Sequence, residues 1–435
     1  MTTKTLYKIF LLLLIAFPMH SQNLLKLEDA VKIALENNYD IKIASNNYKI
    51  DETNATLGNA GMLPNINATI ANTNNIQNIS QIQADGTHRS LDNAKNMNLN
   101  YGVNLDWTIF DGLKMFARKD QLEILKKQGE AKLKATILAK IGDVYTTYYD
   151  LVQQQQQLAV IDTAITISQQ RLTISKNRFT IGKASKLEVL NAQVDFNTDT
   201  SLKLRQLENY KNTKTRLNEI LARDLSIDFV VIDTIAIDDR LQLQDLKSKA
   251  ENQNPQLQAQ ILEKNSAELQ LKQTKAVRYP TLKVNTGYNF SQTEASLGFV
   301  TSSSGKGLIY GFSAALPIFS GFNQNRNEKV AKIEVENANF VLQQQKLALE
   351  SQLNTAFQSY STNLELTHME ENNVTIAKQN LDITLAKYKI GTISPIDYRT
   401  AQFNYVQAQV RYTNSQFETK LYEIALKELS GSLDF

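Results

Sequence analysis

The chain has no cysteine, only three histidines and only six prolines in 435 residues. It also has no apolar run long enough to cross a bilayer as a helix, which takes about 20 residues. Each shortage excludes something. Without cysteine there is no disulfide framework, no thiol nucleophile and no cysteine for a lipid anchor. The histidines are His20, His88 and His368. None stands at metal-ligand spacing from a partner. No glycine-rich phosphate loop and no nucleophile elbow occurs. An enzyme or a cofactor protein therefore has little to build on, and no cofactor is expected. Neither charge sign dominates: Lys+Arg is 47 against Asp+Glu 44, a net +3. That balance does not point to a nucleic-acid partner.

The prolines are Pro18, Pro64, Pro255, Pro280, Pro317 and Pro395. None falls between Pro64 and Pro255 or between Pro317 and Pro395. An interior proline breaks a helix, so these tracts admit unusually long ones. At the N-terminus, Lys4 and Lys8 precede an apolar stretch from Ile9 to Phe17, followed by Pro18 and Ser21. Residues 1–21 read as a signal peptide for export, with the mature chain running from 22 to 435. If the mature chain spans a membrane, it must do so as β-structure.

The mature chain reads as two pseudo-repeats, 22–226 and 240–435, offset by about 210 residues. Arg178-Phe179-Thr180-Ile181-Gly182 matches Lys387-Tyr388-Lys389-Ile390-Gly391, and Glu188 matches Asp397. Ala192-Gln193 matches Ala401-Gln402, and Phe110-Asp111-Gly112 matches Phe319-Ser320-Gly321. Each half carries a helix, a pair of strands and a long helical hairpin.

The strand pairs fall at about 64–110 and 280–319 and alternate with period two. In 98–110 the apolar set is Leu99, Tyr101, Val103, Leu105, Trp107 and Ile109; Asn98, Asn100, Gly102, Asn104 and Asp106 lie between. Segments 281–291 and 308–318 repeat the pattern, and 64–74 does so more weakly. Runs of about ten residues with one apolar face suit tilted membrane-spanning strands; a soluble sheet with one buried face would give the same alternation. The joining segments 76–97 and 292–307 read as solvated loops. Four strands cannot close a barrel, and an open edge in lipid is prohibitive. Protomers must pool strands, and a dimer, trimer or tetramer would each satisfy that condition.

Apolar residues recur at about 3.5-residue spacing through the helical tracts, as in Leu133, Ile137, Ile141, Val144, Tyr148 and Leu151, the signature of supercoiled helices. The tract 113–181 predicts a helix about 100 Å long. Within it, Gln153 to Gln157 reads as a solvated face. Gly182 and Gly391 close the long runs and mark the hairpin turns. Segment 223–250 breaks the pattern, and Phe229 to Ile232 reads as a short strand.

On these residues the chain resembles the TolC-like outer membrane efflux protein family. The quoted motifs are Leu27-Glu28-Asp29-Ala30-Val31 with Asn37-Asn38-Tyr39, then Asn254-Pro255-Gln256-Leu257, and the two hairpin turns with Glu188 and Asp397. The resemblance implies a mixed, mainly α fold: coiled-coil hairpins forming a periplasmic tunnel, and four transmembrane strands per protomer in a homotrimer with a twelve-stranded barrel. It implies an outer-membrane location and a passive conduit for tripartite efflux or type I secretion. It implies that a periplasmic adaptor and an inner-membrane pump dock at the turns around Gly182 and Gly391. It further implies a resting-state latch between Tyr388 and Glu188, with Glu where the family has Asp. Asp397 would stand at the entrance constriction, with Thr400 where the family has a second aspartate. Ile393 occupies a position where the family carries an arginine that makes a second link, so that link is not expected. A trimeric coiled-coil surface adhesin or fibre is the competing reading; it leaves the recurring strand pairs unexplained.

Overall fold

The computed structural model describes residues 24–298 and 300–433. The expected signal peptide at 1–21 lies outside them. Twelve elements follow in order: helices α1 (Leu27–Asn37) and α2 (Tyr39–Asn54), strands β1 (Asn65–Ile82) and β2 (His88–Asp111), helices α3 (Lys114–Thr180), α4 (Lys186–Ile220), α5 (Leu243–Gln253) and α6 (Pro255–Ala276), strands β3 (Thr281–Ala295) and β4 (Ser302–Ala315), and helices α7 (Asn323–Ile390) and α8 (Pro395–Leu429). Every described proline marks a boundary. Pro64 and Pro280 directly precede strands, Pro255 and Pro395 open helices, and Pro317 follows β4. This is where a residue without an amide hydrogen costs least.

The chain divides into two compact units. One comprises Ser45–Lys132 and Gln256–Lys346. Its centre is a four-stranded antiparallel sheet in the order β1-β2-β3-β4. Tyr101 pairs with Phe290 across β2 and β3, and their rings stack at 4.8 Å. Val103 opposes Tyr288, which opposes Leu308. That face is apolar and exposed. Its exposed side chains include Ile66, Ile70, Tyr288, Tyr310 and Phe312. The other face is built from amides and glycines: Gly102 opposes Asn289, Asn104 opposes Gly287, and Asn285 opposes Gly311. Asn289 Nδ2 donates to Asn104 Oδ1 at 3.0 Å. Beside the sheet, α6 and α2 each meet α3 through polar contacts. Gln273 Nε2 donates to Gln121 Oε1 at 2.8 Å, and Lys126 pairs with Glu52 at 2.9 Å.

The loops expected at 76–97 and 292–307 are mostly strand. β1 and β2 stay paired out to Ile82 and His88, and only 83–87 turns. Asp85-Gly86 makes that turn, a short-range hairpin signal. The polar composition hid the strands because both faces of this extension are solvated and no apolar alternation is required.

Of the described residues, the second unit comprises 24–44, Leu133–Pro255 and 347–433. Its core joins Ala30, Val31 and Ala34 of α1, Val144, Tyr148 and Leu151 of α3, Leu217 of α4, Phe229 of the connecting segment and Ile424 of α8. The segment expected as a strand at 229–232 contributes a single bridge, Leu24 with Val230. Helices on its other sides offer no further strand edge. Buried Lys420 and Glu423 pair at 2.9 Å and bind this segment: Lys420 Nζ donates to Ala236 O at 2.7 Å, and Asp238 N donates to Glu423 Oε2 at 3.0 Å.

The glutamine run is not a solvated face. Gln153 and Gln157 both donate to Asn414, at 2.8 and 2.9 Å. Gln154 donates to Thr213, Gln155 accepts from Tyr210, and Gln156 reaches Asp233 O. Five consecutive residues sweep the whole circumference of a helix. Here that circumference faces neighbours, and an amide can donate or accept to each.

Candidate functional site

The hairpin ends concentrate the residues singled out in the sequence. Both turns rest on a left-handed glycine, Gly182 at φ +74 and Gly391 at φ +81. At each, the helix closes with its terminal hydrogen bonds: Gly182 N donates to Phe179 O and Gly391 N to Tyr388 O, both at 3.0 Å. Nothing stands within 4 Å of where a Cβ would be at either glycine. They are therefore needed for backbone conformation and not for close packing.

The duplicated Ser-x-x-acid that follows each turn is used in two different ways. Ser394 caps α8: its Oγ accepts from Asp397 N at 3.1 Å, and Asp397 Oδ2 accepts from Ser394 N at 3.3 Å. This is a complete capping box. Ser185 likewise accepts from Glu188 N at 3.3 Å. The Glu188 carboxylate, however, turns away from the cap. Its Oε1 accepts from the Tyr388 hydroxyl at 2.9 Å and lies 3.5 Å from Ser175 Oγ. Residue 179, the counterpart of Tyr388, is a phenylalanine, which has no hydroxyl to donate. Asp397 stays at its own helix end, where its Oδ2 also accepts from Ser394 Oγ at 2.9 Å.

Tyr388 is wholly buried and stacks on Tyr398, centroid to centroid 4.9 Å at 6°. The Arg178 guanidinium lies 5.4 Å from its ring. Leu381, Ala401 and Tyr405 complete an apolar cluster that the first hairpin joins through Ile167 and Ile174. Burial, and then the neighbouring Glu188 carboxylate, push the Tyr388 phenol above its ordinary pKa. It therefore remains a donor, and a phenol donating to a carboxylate is stronger than a neutral pair. Asp397 and Thr400 are both exposed, one turn apart on α8, and the Thr400 hydroxyl donates back to Ile396 O at 3.1 Å. The Asp397 carboxylate at a helix N-terminus is stabilised by the helix dipole as well as by the cap. No cluster of metal-binding side chains occurs among the described residues.

The profile of the outer membrane efflux protein family matches residues 30–223 and 246–432, one segment for each pseudo-repeat. The chain belongs to this family. Solved structures share its fold. The outer-membrane channel OprN superposes with a TM-score of 0.80 at 15% identity, covering 93% of this chain and 90% of its own. The Campylobacter jejuni outer membrane channel CmeC gives 0.77 at 18% identity, covering 93% and 85%. The Vibrio cholerae outer membrane protein VceC gives 0.77 at 16%, covering 93% and 96%. No curated protein matches by sequence. This efflux protein is an outer-membrane channel with a large helical periplasmic part. Members of its family are trimers that work with adaptor and pump partners. The adhesin reading has no support in these likenesses.

The structure brings Tyr388 and Glu188 together across 200 residues of sequence. It also adds residues that sequence reasoning missed in the efflux protein, Ser175 and Tyr398. Ser175 lies 3.1 Å from the Tyr388 hydroxyl. No local signal marks it, since its partners come from other helices. The signal that could have found Tyr398 is its position as an aromatic directly beside Asp397.

Proposed function

We propose that three copies of the mature chain, residues 22–435 after loss of a leader at 1–21, pool their strands into one twelve-stranded barrel. Each channel passes substrate from a periplasmic adaptor and an inner-membrane pump to the exterior without a catalytic step. The observation that carries this reading is the sheet itself. It has four strands in the order β1-β2-β3-β4, so β1 and β4 are edges. One of its faces is apolar and exposed. An edge in lipid leaves backbone groups unpaired at several kcal/mol each. A neighbour's β4 on this β1 removes both edges, turns the apolar face to lipid and leaves the amide face to line water. Crosslinking and native mass spectrometry in detergent should give three chains. A stable water-soluble monomer would overturn the barrel.

In this reading the turns at Gly182 and Gly391 meet the adaptor, and Tyr388–Glu188 is the resting-state latch. Asp397 and Thr400 sit at the entrance, where three carboxylates attract cations. Tyr388→Phe removes a charge-assisted hydrogen bond worth about 1.5–3 kcal/mol. It should raise trimer conductance in planar bilayers by about tenfold. Asp397→Ala should instead lose block by a trivalent cation, and Thr400→Asp should tighten it. Unchanged conductance in both Tyr388→Phe and Glu188→Ala would remove the latch.

A further inference from the structure

About two turns along α4 from Glu188, the two hairpins meet a second time, through charges. Arg171 on α3, only 4% exposed, donates to Asp195 Oδ2 on α4. Arg399 on α8 brings Nη2 to 3.4 Å from Asp195 Oδ1 and Nη1 to 3.9 Å from Asp199 Oδ2. Asp195 thus lies between two guanidiniums, one from each hairpin. Arg171, Asp195 and Asp199 all belong to the first hairpin. Arg399 is the member supplied by the second, and it directly follows Tyr398, whose ring lies on the latch tyrosine.

The cluster is incompletely satisfied. Among the described residues, Asp199 Oδ2, Arg171 Nε and the Tyr398 hydroxyl are buried with no hydrogen-bond partner. Burial pushes the Asp199 carboxyl above its ordinary range. Buried polar groups are normally paired, and exceptions call for a reason. A contact that only stabilises the fold gains from full pairing. A contact that must break and re-form gains from being held less firmly, because the two states then lie close in free energy.

We propose that Arg399 is a positioning residue of the closed tunnel. It ties α8 to the first hairpin through Asp195 and Asp199, a second level of closure where Ile393 can make no charged link. The proposal rests on the reading of these hairpin ends as the gate. Any movement that carries the second hairpin, α7 with α8, away from α4 must break this tie together with Tyr388–Glu188. The two levels use different side chains on α4, so losing one leaves the other in place.

The test uses intact trimers in planar bilayers, with heat stability of the trimer measured alongside. Arg399→Gln should raise conductance by about two- to fivefold, the factor set by losing a partly exposed ion pair, while the trimer melts as the wild type does. Arg399→Lys keeps the charge and should conduct close to wild type. Arg399→Gln combined with Tyr388→Phe should conduct more than either alone. Wild-type conductance in Arg399→Gln, with Tyr388→Phe still raised, would overturn the role of Arg399 and leave the gate reading intact. A lysine variant as leaky as the glutamine one would overturn the charged tie. If neither Arg399→Gln nor Tyr388→Phe alters conductance, the gate reading falls as well.

Discussion

Gly102→Ala should remove the trimer from the outer membrane, while Gly307→Ala should leave it at wild-type level. The two glycines sit on the same amide face, and both lie opposite Asn289, one from β2 and one from β4. Their surroundings differ. A Cβ at Gly102 would stand 2.0 Å from Asn289 Oδ1, 2.6 Å from the Tyr288 carbonyl oxygen and 2.8 Å from Asn289 Cα. The amide could swing aside, but the backbone atoms belong to the neighbouring strand. Relief requires β2 and β3 to separate, which breaks the ladder from Asn98 to Asp106. At Gly307 nothing stands within 4 Å. Gly287, whose Cβ would meet Asn104 Oδ1 at 2.2 Å and Val103 O at 2.9 Å, should behave like Gly102. Overlap with backbone cannot relax as overpacking in a core does, at about 1–3 kcal/mol, and the lesion occurs in every protomer of the barrel. Semi-native gels of outer-membrane fractions measure trimer directly. Normal trimer in Gly102→Ala would mean that the strands are farther apart on this face than the register requires.

Gly391→Trp should abolish export without reducing the amount of trimer. The position demands a left-handed residue at φ +81 with open space around it. A side chain there costs about 1–2 kcal/mol, small beside the burial that holds α7 and α8 together. The helices should therefore persist, with Tyr388 still under Tyr398. What changes is the surface of the turn, where an indole projects from the end proposed to meet the adaptor. Export of a dye or toxic compound in cells should fall to the level of a deletion strain, with trimer unchanged on gels. Normal export would place docking elsewhere. Loss of trimer would instead show that the turn is needed for folding.

Much of this architecture was legible because it depends on local patterns. The period-two alternation from Leu99 to Ile109 announced β2. The spacing of Leu133, Ile137, Ile141, Val144, Tyr148 and Leu151 announced α3, whose boundaries fall at Lys114 and Thr180. Prolines and turn glycines marked the ends. The errors share one origin. Segment 76–97 was misread because its strands hydrogen-bond through the backbone and show no apolar face. Gln153–Gln157 was misread because amides look the same in a sequence whether they meet water or a neighbouring helix.

The candidate site divides in the same way. The sequence could nominate Tyr388, Glu188 and Asp397 through the family resemblance, which places each at a fixed offset from a turn glycine. It could not say that Glu188 leaves its helix cap for a phenol while Asp397 stays in its own. That choice depends on which side chain of the other hairpin arrives within hydrogen-bond reach. Arg399 was invisible for the same reason, since beside Tyr398 it reads as an ordinary surface cation.

By itself, then, the sequence determined the elements, their order, the duplication and the two-faced strands. These follow from the geometry of a single helix or strand and from the conformations that proline and glycine allow or forbid. Only the tertiary structure decided which strands pair, which glycines stand against a neighbouring backbone, which glutamines meet a neighbouring helix and which carboxylate meets the tyrosine. Those outcomes depend on atoms brought together from positions as much as 261 residues apart, at distances of a few ångströms where hydrogen bonds and overlap change sharply. No spacing along one chain segment encodes such distances.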